Sequence, residues 1–501
     1  MSINGISSRS SLMLQSMVEM RRQLDDLQRQ LGTGRRSVTY AGLGINRGLA
    51  ISVNNQLAAL KSYNASMQQV SVRLDLAQTA LGQIDSVTHE VKTAIFQSKF
   101  AIDPGGQTAE QRNAGNQLEL VLGLLNTTAG DRYLFSGLGF DTPSVESSVH
   151  ILEGDGARAG LKQMISERRQ ADLGAAGMGR LSIPAAVGAT LSVAEDAAGS
   201  PFGMKLAAVN STLTGATVTG PAGAPASVSI DLGATNPAAG DSIRLSFTLP
   251  DGSTTDLTLT ATASASPGAN EFSLGANAAA TAGNLQAALT TAVAGIAGSE
   301  LAAASALAAG DAFFSADLNN PPQRVNGPPF ATATSLVAGT AANSVIWYTG
   351  EAGADPARST ANARIDASIS VSYGLRANEE ALQSAVKNIA VFAAVSYSSG
   401  DPQAAASYGA LKQRVAANLA NVPGQQKISD IAAEIASAQT AMAAASERHQ
   451  QTDATLADLM ESITTVSPEE VGAKILALQT NLQASLQTTA LLLQTSLINY
   501  L

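Results

Sequence analysis

The sequence predicts an α+β protein with long antiparallel helical coiled-coil arms, formed by the N- and C-terminal segments, and an inserted β-rich middle domain. Three observations predict it. Apolar residues recur at heptad spacing near both ends of the 501-residue chain. Residues 6–31 and 425–467 contain neither Gly nor Pro. Residues 181–350 differ in composition, with turn residues and stretches that alternate apolar and polar positions.

The first helix is read over residues 6–31. Met13, Met17, Met20, Leu24, Leu27 and Leu31 recur at steps of 4, 3, 4, 3 and 4, the seam of a coiled coil. Gly32-Thr33-Gly34 breaks the helix, and a loop with Gly42 and Gly44 follows. A longer helix runs over about 47–100. Val53, Leu60, Met67, Leu74, Leu81, Thr88 and Ile95 stand seven apart, and Tyr63, Val70, Ala77, Ile84 and Val91 form a second seam position. At ~1.5 Å per residue this helix spans about 75 Å. Asp103-Pro104-Gly105-Gly106 ends it. A further helix over about 108–128 carries Leu118, Val121, Leu122 and Leu125, and Gly130-Asp-Arg-Tyr-Leu-Phe-Ser-Gly137 reads as a turn entering a short strand.

The C-terminal part mirrors this. Asp401-Pro402 opens a helix to about Asn421, with Asp at the N-cap and Pro at the first helical position, and Val422-Pro423-Gly424 breaks it. Ser467-Pro468-Glu469-Glu470 starts the last helix as a capping box. That helix carries Val471, Ile475, Leu478, Leu482, Leu486, Ala490, Leu493 and Leu497, whose mean spacing is close to that of a straight helix.

Residues 181–350 hold ten acidic and three basic residues, most of the chain's net charge of −10. Ser242–Leu249 alternates, Pro250-Asp251-Gly252 turns, and Thr255–Thr262 alternates again, which is a β-hairpin signature. Residues 276–309 are rich in Ala and read as one or two helices. Residues 272–299 and 475–501 are uncharged, but the first is too small and polar for a membrane span. The second holds six amides that hydrocarbon would leave unsatisfied.

Composition excludes several chemistries. There is no cysteine, so no disulfide, thiolate zinc site or cysteine nucleophile. His89, His150 and His449 lie far apart and read as surface or seam histidines, so neither a metal nor a cofactor is expected. A net charge of −10 argues against nucleic-acid binding. No phosphate-binding loop, nucleophile elbow or zincin motif is present, and Gly154–Gly160 reads as a plain turn. The start, Met1–Arg9, lacks the basic and apolar regions of a cleaved signal peptide. Charged residues are only 14% of the chain, which suits a subunit that hides surface in an assembly. Chain ends usually fray, yet here they carry some of the most regular apolar patterns. The last helix has amides where a free surface helix would carry charges. Amides can bond across subunits without burying a charge, so the pattern points to polymerisation through the termini.

Several stretches resemble the bacterial flagellin family. Leu27-Gln-Arg-Gln-Leu31-Gly-Thr-Gly-Arg-Arg36 is similar to the family's helix end, and Gln78-Thr-Ala-Leu81-Gly-Gln-Ile84 to a segment of its long helix. Gly130–Gly137 and the closing Leu497-Ile-Asn499-Tyr500-Leu501 resemble the hook-associated, hook–filament junction branch. Met178–Asp366, with Leu249-Pro-Asp-Gly252, resembles the variable insert of some alphaproteobacterial flagellins. Thr39–Gly48 departs from the acidic segment that filament flagellins carry after the first turn.

The resemblance implies a terminal helical assembly domain (1–45 and 455–501), a helical core domain (46–177 and 356–454) and a variable inserted domain (178–355). It implies a non-enzymatic structural subunit of the flagellum that serves motility, in the filament or at the hook–filament junction. Its partners are then copies of itself, other axial proteins of hook, junction and filament, and the flagellar type III export apparatus, with no nucleic acid and no membrane. Its location is extracellular, reached without a cleaved signal peptide. The expected assembly interface is Met17, Leu24 and Leu31 with Leu482, Leu486, Leu493 and Leu497. The alternative is a secreted adhesin with coiled-coil arms and a binding module in the middle.

Overall fold

The computed structural model describes the backbone of residues 3–420 and 422–498 and the side chains of 11–420 and 422–491. Its helices are α1 (Ile3–Thr33), α2 (Arg47–Gln97), α3 (Ala109–Leu125), α4 (Ser148–Glu153), α5 (Leu161–Leu173), α6 (Ala278–Ile296), α7 (Ala302–Phe314), α8 (Glu380–Ala394), α9 (Ala404–Asn418), α10 (Ile428–Thr464) and α11 (Pro468–Ile498). Strands β1 (Thr128–Ala129) and β2 (Arg132–Tyr133) form a small hairpin. The middle of the chain gives β3 (Leu181–Ser182), β4 (Thr190–Glu195), β5 (Lys205–Ser211), β6 (Thr217–Ala222), β7 (Ser227–Asp231), β8 (Ser242–Thr248), β9 (Thr254–Thr262) and β10 (Glu271–Ser273). Three-residue strands β11 (Gln323–Val325) and β12 (Leu336–Ala338) pair, as do β13 (Asn362–Arg364) and β14 (Ser370–Ser372). The class is the α+β expected, with helices at both ends and strands between.

Two compact units are present: 1–70 with 363–371 and 440–501, and 71–362 with 372–439. In the first, α1 packs against α11. The α2 residues of this unit bury Ala50, Val53, Met67 and Val70, and its α10 residues bury Met442, Ala445 and Ile463. Leu43, Ala50, Ile463 and Met460 make a small cluster under the short helical loop Tyr40–Asn46. Gly44 bends that loop at φ 56° and ψ −125°, a conformation that a side chain disfavours. His449 is the seam histidine expected: it is 3% exposed and its Nδ1 lies 2.9 Å from Asn64 Oδ1.

The second unit has a helical layer. Helix α3 packs on α8, α7 on α5, α8 and α9, and α8 on α9. The second half of α2 buries Leu74, Ala77, Leu81, Ile84, Val91 and Ile95, the heptad positions. Thr108 caps α3 in a reciprocal box with Gln111. Gln111 Nε2 then donates to Phe392 O at 3.0 Å and Val395 O at 2.7 Å, closing the carbonyl end of α8. Helix α9 begins at Ala404 rather than at Pro402, because Asp401 Oδ1 accepts from Gln403 N (2.9 Å) and caps a turn that precedes the helix. It ends at Asn418; the expected end, Asn421, lies outside the described residues.

Residues 181–304 enclose their own apolar core. Two four-stranded sheets, ordered β3-β4-β7-β6 and β10-β9-β8-β5, sandwich it with α6. The β8–β9 hairpin is antiparallel over Ser242–Thr248 and Thr254–Thr260, as its alternation predicts. Its turn closes through Gly252 N to Leu249 O at 2.9 Å. The module's two ends meet: a Cβ on Gly179 would lie 2.9 Å from Leu301 Cδ2. The run Ala278–Phe314 is long and apolar enough to cross a membrane by length and composition, and 67% of its most apolar window is buried inside the protein. It serves as core. Within it, α7 belongs to the helical layer, where Phe313, Phe314 and Leu307 are buried and Trp347 Nε1 donates to Phe314 O at 2.8 Å.

Candidate assembly site in the terminal helices

The site starts from two turns. Gly34 follows α1 at φ 67°, and residues 465–467 separate α10 from α11. Arg36 N donates to Thr464 O (2.7 Å) and Val466 N to Gly34 O (3.1 Å), so the two turns are stitched side by side. Ser467 then caps α11 by accepting from Glu470 N at 3.3 Å. Only half of the expected box forms, because the Glu470 carboxylate turns to Lys474. That bond holds Glu470 below the usual carboxylate range, and the Ser467 hydroxyl does the same for Glu469. Both charges suit the positive end of a helix.

From this stitch α1 and α11 run antiparallel. At the far end the Thr489 hydroxyl donates to Met13 Sδ at 3.7 Å. Carrying that register along both helices aligns Met17 with Ser485, Met20 with Leu482, Leu24 with Leu478, Leu27 with Ile475 and Leu31 with Val471. The α1 positions from 13 to 27 and the α11 positions in this series are the half-buried or buried ones of their helices. Both follow steps of 4 and 3, so the pair is a heptad seam.

Met17, Leu24 and Leu482 lie in this seam. Leu31 and Leu486 turn outward, 45% and 48% exposed. Leu493 and Leu497 are on α11, but their side chains lie outside the described residues, as do Asn499, Tyr500 and Leu501. The expectation of one stripe through Leu482 and Leu486 followed the leucines; the seam instead steps from Leu482 to Ser485 and Thr489. The 4-3 rhythm of Val471, Ile475, Leu478 and Leu482 was the signal for those two residues, masked by their polarity.

Several large apolar residues lie outside the seam, beside the exposed charges Glu19, Arg21, Arg22, Asp25, Asp26 and Arg29 of α1. Leu12, Leu14 and Val18 on α1 and Leu476, Leu486 and Leu491 on α11 are exposed, with Val38, Tyr40 and Ile45 in the loop; Ile45 is 99% exposed. Gln479, Gln483 and Gln487 are exposed between them, and no charged residue follows Lys474. Apolar surface on this scale marks an interaction face.

Residues 6–139 match the bacterial flagellin N-terminal helical region. The match supports the bacterial flagellin family for this N-terminal segment. The matched segment comprises most of α1, all of α2 and α3, and the β1–β2 hairpin. The family is one of structural, non-enzymatic proteins that self-polymerise in the extracellular flagellar filament. No curated protein and no solved structure matches the chain.

Proposed function

We propose that this protein is a flagellin-family structural subunit of the bacterial flagellum. It polymerises through its terminal helices, in the filament or at the hook–filament junction, and serves motility. One observation carries the reading: α1 and α11 join along a narrow seam while Leu12, Leu14, Leu476 and Leu486 remain exposed and no charge interrupts α11 after Lys474. An amphipathic pair with apolar residues on its outer surface, one of whose helices is uncharged beyond Lys474, gains by burying that surface against copies of itself. The terminal assembly part (1–45 and 455–501), the helical core (46–177 and 356–454, joined by α7 and Trp347 from within 178–355) and the rest of the insert 178–355 then divide the work between axial contact, support and outward display. The flagellar type III export channel is the proposed route of export, and the lack of cysteine suits unfolded transit. Hook, junction and filament proteins are the axial neighbours, and the protein needs no catalytic site.

Immunogold labelling of intact flagella tests the reading. Label along the filament means a filament subunit, and label at the hook boundary means a junction subunit. Label elsewhere on the cell surface, with none on flagella, would replace this reading with the adhesin.

A further inference from the structure

In the second unit, a cavity of about 200 Å³ opens between the second half of α2, the β1–β2 hairpin and the chain around residues 360–362 and 373–375. Arg73, Arg132, Tyr133, Phe140, Asn362 and Tyr373 line it, and no carboxylate does. The Gly130–Gly137 motif supplies one wall. That wall is built to shape: Gly137 has φ 64°, and a Cβ there would press on the Glu351 carboxylate, which accepts from Leu138 N at 2.9 Å. Opposite, Gly374 lies so close to Thr360 and the Ala357 carbonyl that a side chain would not fit.

The charge state of this cavity is unlike the rest of the unit. Of the unit's twelve arginines, ten have a carboxylate within 4.0 Å among the described residues. The two without one are Arg73 and Arg132, and both line this cavity. Each is half-buried. Arg132 stacks its guanidinium 3.8 Å from the Phe140 ring centroid, which fixes its plane and leaves its N–H edge free. A chain with ten more acidic than basic residues has here left two arginines lining one cavity without a counter-charge.

We propose that this cavity receives an acidic side chain of a neighbouring copy of the chain in the polymer. The inference rests on the self-assembly reading above and gives it a specific contact. A guanidinium recognises a carboxylate through paired N–H donors, and the tyrosines and Phe140 provide walls for its methylenes. The volume is below the roughly 300–1,000 Å³ of small-molecule pockets, so it suits one side chain rather than a cofactor or sugar. An excess of carboxylates on every copy supplies the occupant.

Two measurements on the full-length protein test this. The first is the critical concentration for polymerisation of Arg73→Gln/Arg132→Gln. It should rise about tenfold or more, while the unfolding midpoint of the monomer falls only slightly, because neither arginine gives up an internal carboxylate and only the Arg132 stack on Phe140 is lost. The second uses Arg73→Lys. A water-soluble carbodiimide joins amine to carboxylate only in contact, so in the polymer the introduced amine should couple to an Asp or Glu of another copy, and in the monomer it should not. Polymers that form at the wild-type concentration, or peptides spanning position 73 that carry no intermolecular amide, overturn the pocket assignment and leave the self-assembly reading standing. Wild-type protein that does not polymerise overturns both.

Discussion

The Thr489 hydroxyl donates to the sulfur of Met13, 476 residues away in sequence. The contact fixes the register of α1 and α11, and that register sorts the leucines of the last helix into two jobs. Leu482 falls in the seam with Met20, and Leu486 faces out.

The two leucines therefore answer differently to a charge. Leu482→Asp sets a carboxylate in the half-buried seam and costs the helix pair about 1–3 kcal/mol. In the monomer this unpairs α1 and α11, read as faster amide exchange over residues 11–33 and 468–491. Leu486→Asp leaves monomer exchange unchanged, because Leu486 lies outside the seam. Equal effects of the two substitutions would mean that the register is wrong.

The insert can be cut at a specific place. Since Gly179 and Leu301 are neighbours, deletion of 181–299 with a short Gly/Ser closure should leave a folded, helical protein. The larger deletion of 181–350 removes α7 and Trp347 from the helical layer and should lose cooperative unfolding. Circular dichroism melts of both deletions check this, and the reverse ranking would show that α7 belongs to the insert.

Arg414 ties that insert to α9. Its Nε reaches Asp251 Oδ2 at 3.0 Å in the β8–β9 turn and its Nη1 reaches Glu300 Oε2 at 2.6 Å. The Asp251 side chain is nearly buried. Arg414→Met keeps the length and strands both carboxylates, a loss of about 3–5 kcal/mol. Thermal unfolding of Arg414→Met, Asp251→Asn and the double variant should show non-additive losses; strict additivity would contradict the tie.

Asp172 sets a pH dependence. It is fully buried, accepts from Gly203 N at 2.9 Å and pairs with Arg168 Nε at 2.8 Å. Burial pushes its carboxyl above the usual range, outweighing Arg168 and the hydrogen bonds. Below about pH 4 the group is protonated folded and unfolded alike. As pH rises from there, the unfolded chain releases its proton first, so this group's contribution to stability falls until the folded pKa is passed. Asp172→Asn lacks that fall. Its Tm relative to wild type should climb between pH 4 and 7, and a decline would reverse the sign.

The helical ends were legible because heptads are local: Val53 to Ile95 and Met13 to Leu27 face inward as their spacing implies. The β8–β9 hairpin was legible because alternation and a Pro-Asp-Gly turn agree. The seam partners Ser485 and Thr489 were not, since a hydroxyl at a seam position looks like surface until the opposite helix is known. The place of α7 was hidden too: an Ala-rich helix fits any core, and only Trp347 and Phe314 in three dimensions show which one. Nor could spacing show that Arg73 and Arg132 share a cavity, because 58 residues of chain lie between those positions.

The central claim is assembly through the outward face of the terminal helices, and polymerisation of Leu486→Asp tests it most directly. The variant monomer should melt and exchange like wild type. Sedimentation and electron microscopy should then find it in the supernatant at concentrations where wild type pellets as polymer. Each buried carboxylate costs a subunit several kcal/mol, and every subunit repeats that cost. Leu486→Asp protein that polymerises at the wild-type critical concentration would contradict the claim.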